Sequence, residues 1–347
     1  MGHATSSGRQ MRTFDPISCR VESRRTKRLG LFAMIFLCSL AYVASSDAAA
    51  GSAKQRPDAL GVHTFSVQGV QLWYRVAGMT SGTPVVFLHG GPGEGSQTFA
   101  RYAGPTLEKR LRMVYLDQRG SGHSERPKDP TAYSISLLVH DIEALRRHLG
   151  ALRIDLIGHS FGTILALEYA ARYPDHVAHV VLAAAVPDLP HLIDIQCRRL
   201  QAMDAVAYAR AASGKPPGTY PRCNSFNAYE GAAEAEFIHH NMYPRSAIGR
   251  QVDEADAADG LGNTGELSEA LIGQGLWDYR FEAAAKVTAP VLVIAGGRDY
   301  QAAEAPQRDL AHALPHARLL VYPDDGHFMF IEEPGRFAAD VEAFFPK

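Results

Sequence analysis

Six short runs of almost unbroken apolar residues, PVVFLHG, LRMVYLD, RIDLIG, HVVLAAAV, PVLVIAG and ARLLVYP, recur between residues 84 and 323. A strand with no polar face has no side to give to water, so runs of this kind predict a mostly parallel sheet covered by helices on both faces. Most are separated by helical stretches such as SISLLVHDIEALRRHLG, which fits that alternation. Two earlier runs, VHTFSV and QLWYRVAG, lie close enough together in sequence to form an antiparallel hairpin at the start of the sheet. The expectation is an α/β fold with an eight-stranded sheet. The alternation stops at about Asp188 and resumes at about Val287, and the Ala-, Gly- and Asn-rich, acidic stretch between them reads as an inserted helical cap. This divides the chain into residues 51–187 and 287–347 for the two parts of the core and 188–286 for the cap.

Residues 1–50 read as an address. Arg20, Arg24, Arg25, Lys27 and Arg28 precede the apolar run LGLFAMIFLCSLAYV and then the small residues ASSDAAAG, the order of a secretory signal. A membrane anchor would need about 20 apolar residues, and this run is shorter. SRRTKR is a poor twin-arginine signal because of Lys27, and Leu37 before Cys38 argues against lipidation, so general export to the periplasm or medium is expected, with cleavage near Ala48 or Ala50 and no stable membrane insertion afterwards. The mature chain would carry 28 Lys and Arg against 34 Asp and Glu, a net charge of −6. That balance gives no electrostatic footprint for nucleic acid. Export would leave two cysteines, Cys197 and Cys223, either bridged in an oxidising compartment or present as buried thiols.

The run RIDLI is followed by Gly158-His159-Ser160-Phe161-Gly162 and then by helix-forming TILALEYAARY. A serine on a sharp strand-to-helix turn, flanked by glycines that permit close approach, pushes its hydroxyl out at the end of the sheet beside the positive end of a helix dipole. The hydroxyl is a weak nucleophile until a base takes its proton, so this reading requires a histidine and an orienting acid. VLVIAGGRDY supplies Asp299 after one late strand, and LLVYPDDGHFMFIEEP supplies His327 after the next. Asp324 and Asp325 compete for the acid role, but they sit beside His327 in sequence and are expected to shape its loop. Acyl transfer also needs two backbone donors for the developing oxyanion. These are assigned to the N–H groups of Phe161 and of Gly91, the latter in FLHGGPGEG.

Together HGGPG at 89–93, DQRGSGHS at 117–124, GHSFG at 158–162, GGRD at 296–299 and DGHF at 325–328 resemble the α/β-hydrolase superfamily, and HGGPG with DQRGSG is similar to its proline iminopeptidase family. The resemblance covers roughly residues 60–187 and 285–345. It implies the α/β-hydrolase fold and removal of an N-terminal residue, typically proline, from small peptides by a serine triad without metal or cofactor. Asp117, Gln118 and Arg119 match the family motif after the fourth strand and are expected to form a structural loop. Trp277-Asp278 resembles the segment leading from the family's cap back to the sheet. The elbow departs from the family's Gly-Gly-Ser-Trp-Gly type: His159 and Phe161 flank the serine, as in many esterases and carbon–carbon bond hydrolases. A carboxylic-ester hydrolase is therefore the alternative, and a non-catalytic binding protein of the same fold a remote third. Dehalogenase and epoxide hydrolase chemistry is excluded because Ser160 stands where those enzymes need a carboxylate. An aminopeptidase must also pair its substrate's ammonium group. Glu230 and Glu234, four apart in YEGAAEAEF, are the candidates for that role.

Overall fold

The computed structural model describes residues 56–213, 223, 237, 241–244, 249–258 and 265–345. The signal-like segment and both cap glutamates, Glu230 and Glu234, lie outside the described residues. Eight strands, β1 (Gly61–Val67), β2 (Val70–Gly78), β3 (Pro84–Leu88), β4 (Arg112–Asp117), β5 (Ile154–His159), β6 (Val177–Ala183), β7 (Val291–Gly296) and β8 (Ala317–Tyr322), form one sheet in the order β1-β2-β4-β3-β5-β6-β7-β8. β1 pairs antiparallel with β2, and β2 antiparallel with β4; all later neighbours are parallel. The longer helices are α1 (Ile135–His148), α2 (Phe161–Arg172), α3 (Leu189–Met203), α4 (Ala205–Ala212), α5 (Gly249–Ala258), α6 (Glu266–Gly273), α7 (Glu304–Ala313) and α8 (Pro334–Phe344).

All eight expected strands form, and β3, β5 and β7 are buried at every residue, as strands covered on both faces must be. β8 departs from that pattern. It pairs only with β7 and keeps most of its residues half-exposed, so its apolar run marks a sheet edge and not an interior strand. α1 begins where the Ser134 hydroxyl accepts a hydrogen bond from the Leu137 N–H, and it ends in Arg146, Arg147 and His148, whose charge complements the helix dipole. α2 is apolar on nearly all sides and correspondingly buried over most of its length.

The strand order places the site. From β3 the chain crosses to β4 on one side and then returns to β5 on the other, with Leu88 in register with Gly158. Where an open parallel sheet reverses direction like this, the loops at the strands' carboxyl ends diverge and leave a crevice. The excursion between β6 and β7 is pinned at its two ends. Leu189 N–H donates to the Tyr279 carbonyl, Phe281 N–H to the Pro187 carbonyl, and Arg280 pairs with Asp188 at 3.1 Å. The excursion thus leaves and rejoins the core at one point.

Candidate active site

Ser160 sits between β5 and α2 with φ 51° and ψ −121°. A left-handed conformation in a non-glycine residue costs on the order of 1–3 kcal/mol and persists only where its surroundings hold it. Here Ser160 N–H donates to the Ala183 carbonyl at 3.0 Å, and the Ser160 carbonyl accepts from Thr163 N–H and Oγ1 at 2.9 and 2.6 Å. Gly162 explains the second glycine of the motif: a Cβ there would lie 2.0 Å from the Leu88 carbonyl oxygen, so only glycine lets α2 pack this close to β3. Phe161 opens α2, which directs its first-turn amides at the crevice.

Asp299 and His327 arrive from the loops after β7 and β8. His327 Nδ1 lies 2.9 Å from Asp299 Oδ2, while Asp299 Oδ1 accepts from the N–H groups of Gln301 and Ala302 at 2.7 and 2.8 Å. Both side chains are buried. Burial pushes the His327 pKa down, but the charge and hydrogen bond of Asp299, with the charge of Glu94, outweigh it and hold the imidazole above its ordinary value. The His327 backbone is fixed too, its N–H donating to the Met242 carbonyl and its carbonyl accepting from His159 Nε2 at 3.0 Å. Burial and the nearby His327 push the His159 pKa well down, so His159 is a neutral donor that braces the histidine loop. Asp324 instead pairs with Arg298 at the surface, and the backbone of Asp325 closes the turn after β8, which leaves Asp299 as the partner of His327 Nδ1.

The loop after β3 is clamped at both ends by the loop after β4. At one end, His89 accepts from Gln118 N–H on Nε2 at 3.1 Å, and its carbonyl accepts from Gln118 Nε2 at 2.9 Å. At the other, Asp117 Oδ1 accepts from Ser96 N–H at 2.8 Å and Ser96 Oγ at 2.7 Å. Burial would raise the Asp117 pKa, but the hydrogen bonds from His123 and Ser96 prevail and hold it below the usual carboxylate range. Arg119 is buried on Asp141 through two bonds of 2.6 Å. The expected structural role of Asp117, Gln118 and Arg119 is visible as contacts: Asp117 and Gln118 fix the segment that carries Gly91, and Arg119 anchors their own loop to α1.

Gly91, Phe161, Ser160 and His327 all line one cleft of about 440 Å³. Its far wall comes from the excursion between β6 and β7: Leu189, Leu192 and Ile193 of α3, Ile272 of α6, then Leu276 and Trp277. Cys197 of α3 and Cys223 are joined in a disulfide, within an apolar cluster with Ile193 and Leu200. The sequence reading left the pair open; the structure bridges it. It also missed two residues. His159 was noted only as a departure from a motif, and Glu94, which follows HGGPG directly, was not considered although it lines the cleft.

The chain matches the family model for the alpha/beta hydrolase fold over residues 83–334. A proline iminopeptidase of Levilactobacillus brevis is 29% identical over 279 residues, which cover 78% of this chain and 91% of that one. Among solved structures, a proline iminopeptidase-related protein of Thermus thermophilus superposes with a TM-score of 0.66 at 27% identity, covering 81% of this chain and 95% of the other. An esterase of Exiguobacterium antarcticum shares the fold at TM-score 0.62 and 20% identity, over 82% and 99% of the two chains. With an eight-stranded, mostly parallel sheet, a serine on the β5–α2 turn and an Asp–His pair beyond the last two strands, this chain belongs to the α/β-hydrolase family.

Proposed function

We propose that the chain is a serine hydrolase of the proline iminopeptidase type, releasing N-terminal residues from small peptides through an acyl-enzyme. Ser160 attacks the scissile carbonyl while His327 takes its proton and later delivers it to the leaving amine. Asp299 holds the imidazole with Nδ1 protonated, so that Nε2 faces the nucleophile. The N–H groups of Gly91 and Phe161 receive the oxyanion. The observation that carries this reading is the strained Ser160 turn facing the same cleft as a buried His327 already paired with Asp299. The peptidase assignment draws on the similarity to proline iminopeptidases, and the segment between β6 and β7, whose described residues Leu189, Leu192, Ile193, Ile272, Leu276 and Trp277 line the cleft, acts as its cap.

The apolar wall of the cleft favours a second reading, hydrolysis of carboxylic esters. A fluorophosphonate probe tests the shared chemistry: labelling should fall on Ser160 and vanish in Ser160→Ala. Aminoacyl-naphthylamides and short-chain nitrophenyl esters then separate the readings, and activity on esters alone would replace the peptidase with the esterase. Export is part of the proposal. Its support is the charged, apolar and small-residue order of residues 1–50 and the disulfide, since such bonds persist in oxidising compartments. An N-terminus beginning at Met1 in the protein recovered from its native cells would refute it.

A further inference from the structure

We propose that Glu94 selects for a free amino terminus, its carboxylate receiving the ammonium group of the substrate's first residue. The inference rests on the aminopeptidase reading above and gives it a residue. Among the described residues, Glu94 is the one acidic side chain lining the cleft that holds Ser160 and His327. Its placement is specific. A Cβ built on Gly90 would lie 3.2 Å from Glu94 Oε2 and 3.1 Å from Ser160 Cβ, and one built on Gly91 would lie 3.4 Å from Glu94 Cγ. The side chain thus folds back along its own loop until its carboxylate and the nucleophile's side chain flank the same point. The amine of an N-terminal residue is two bonds from the scissile carbon, about 2.5 Å away by standard covalent geometry. A counter-charge within hydrogen-bond reach of that amine must therefore stand beside the nucleophile.

Electrostatics make the placement selective. A carboxylate next to the loop that must stabilise an oxyanion opposes the developing negative charge whenever the substrate is neutral. An incoming ammonium cancels that opposition and gains a charge-assisted hydrogen bond. One residue thus both attracts the free amine and penalises substrates that lack it. Such a group differs from the cap carboxylates expected from the sequence, because it comes from the oxyanion loop itself.

Three substrates test the proposal in the full-length protein and in Glu94→Gln: L-prolyl-2-naphthylamide, its N-acetylated form and 4-nitrophenyl acetate. In the variant, the ratio of kcat/KM for the free-amine substrate to that for the ester should fall by about 10- to 100-fold, the worth of a hydrogen bond to a charged group. Most of the loss should lie in KM, preference over the N-acetylated substrate should shrink in parallel, and Glu94→Asp should recover part of it. An unchanged ratio, or equal losses on amine and ester, would overturn the role of Glu94 while leaving the aminopeptidase reading intact. A wild-type protein that hydrolyses the ester and no free-amine substrate would overturn that reading, and this inference with it. Glu94 is exposed, so the variant is expected to fold, and a thermal melt verifies it.

Discussion

Two loops at the carboxyl end of the sheet each hold an aspartate against a histidine, in nearly the same way. Asp299 Oδ2 meets His327 Nδ1 at 2.9 Å after β7 and β8, and Asp117 Oδ2 meets His123 Nδ1 at 3.0 Å after β4. In both pairs the second carboxylate oxygen is held from the backbone: Asp299 Oδ1 accepts two backbone N–H groups and Asp117 Oδ1 accepts one, with the Ser96 hydroxyl beside it. The difference lies beyond the pair. His327 is buried in the cleft with Ser160, whereas His123 is 40% exposed and stacks on Trp73 at 4.5 Å between ring centres. The serine beside the second pair, Ser96, donates its Oγ to Asp117. An Asp–His hydrogen bond alone does not define a catalytic pair; what the second ring nitrogen faces does. Asp117 and His123 use the same bond beside the loop that carries Gly91, which Asp117 holds through Ser96.

The largest test of this contrast is removal of the serines and histidines. Ser160→Ala or His327→Ala should each lower turnover by about 10⁶-fold, with the double variant little worse, because the members of a triad act as one unit. Ser96→Ala and His123→Ala should each cost less than about tenfold, since they touch only the support of the loop. Near-normal turnover in Ser160→Ala, or additive losses in the double variant, would end the assignment. The aspartates come next. Asp299→Asn should cost turnover on the order of 10⁴-fold by presenting the wrong imidazole tautomer. Asp117→Asn sets an amide N–H₂ against a backbone N–H donor whichever way the amide is turned, that of Ser96 on one side or of His123 on the other. It should lower stability by about 1–3 kcal/mol and turnover by about 10- to 100-fold through a shifted oxyanion loop. Turnover and thermal melts measured on both variants separate the cases: if Asp117→Asn matched Asp299→Asn in turnover with unchanged stability, the two pairs would not differ as described.

The same contrast explains what could be read before the structure. Ser160, Asp299 and His327 each lie just beyond an apolar run, and a strand end fixes where the next residues go, so the order of the runs put all three at the carboxyl end of the sheet, Ser160 and His327 in the cleft and Asp299 buried behind the histidine. The Asp117–His123 pair was opaque because both residues share one loop, whose path depends on Gly120 and Gly122 at φ 74° and 50° and on Trp73 from a neighbouring strand. A Cβ on Gly122 would lie 2.2 Å from Asp117 Oδ2, so that glycine is what lets the carboxylate be wrapped. Neither constraint is written in a local pattern. Glu94 was missed for a related reason: its neighbours in space, Ser160 and His159, come from β5 and the turn after it, and no spacing within HGGPGEG points there. The half-exposed β8 is a third such case, since an apolar run does not say whether its strand has one neighbour or two.

The smallest effect concerns pH. With neutral His327 as the base of the proposed mechanism, kcat/KM should fall as the pH drops through its pKa, which is held above the ordinary imidazole value by Asp299 and Glu94 against the opposing effect of burial. The acidic limb of the profile should accordingly lie above about pH 6.5 in the wild type. Glu94→Gln removes one of the two negative charges that stabilise the imidazolium, which lowers the pKa and moves the limb to lower pH. His123→Gln alters a histidine whose partner carboxylate is not in the cleft, so the limb should stay where it is. Profiles of 4-nitrophenyl acetate hydrolysis, recorded at constant ionic strength for the three proteins, measure both shifts. A limb that moved with His123 and not with Glu94 would mean that the wrong Asp–His pair has been assigned to the chemistry.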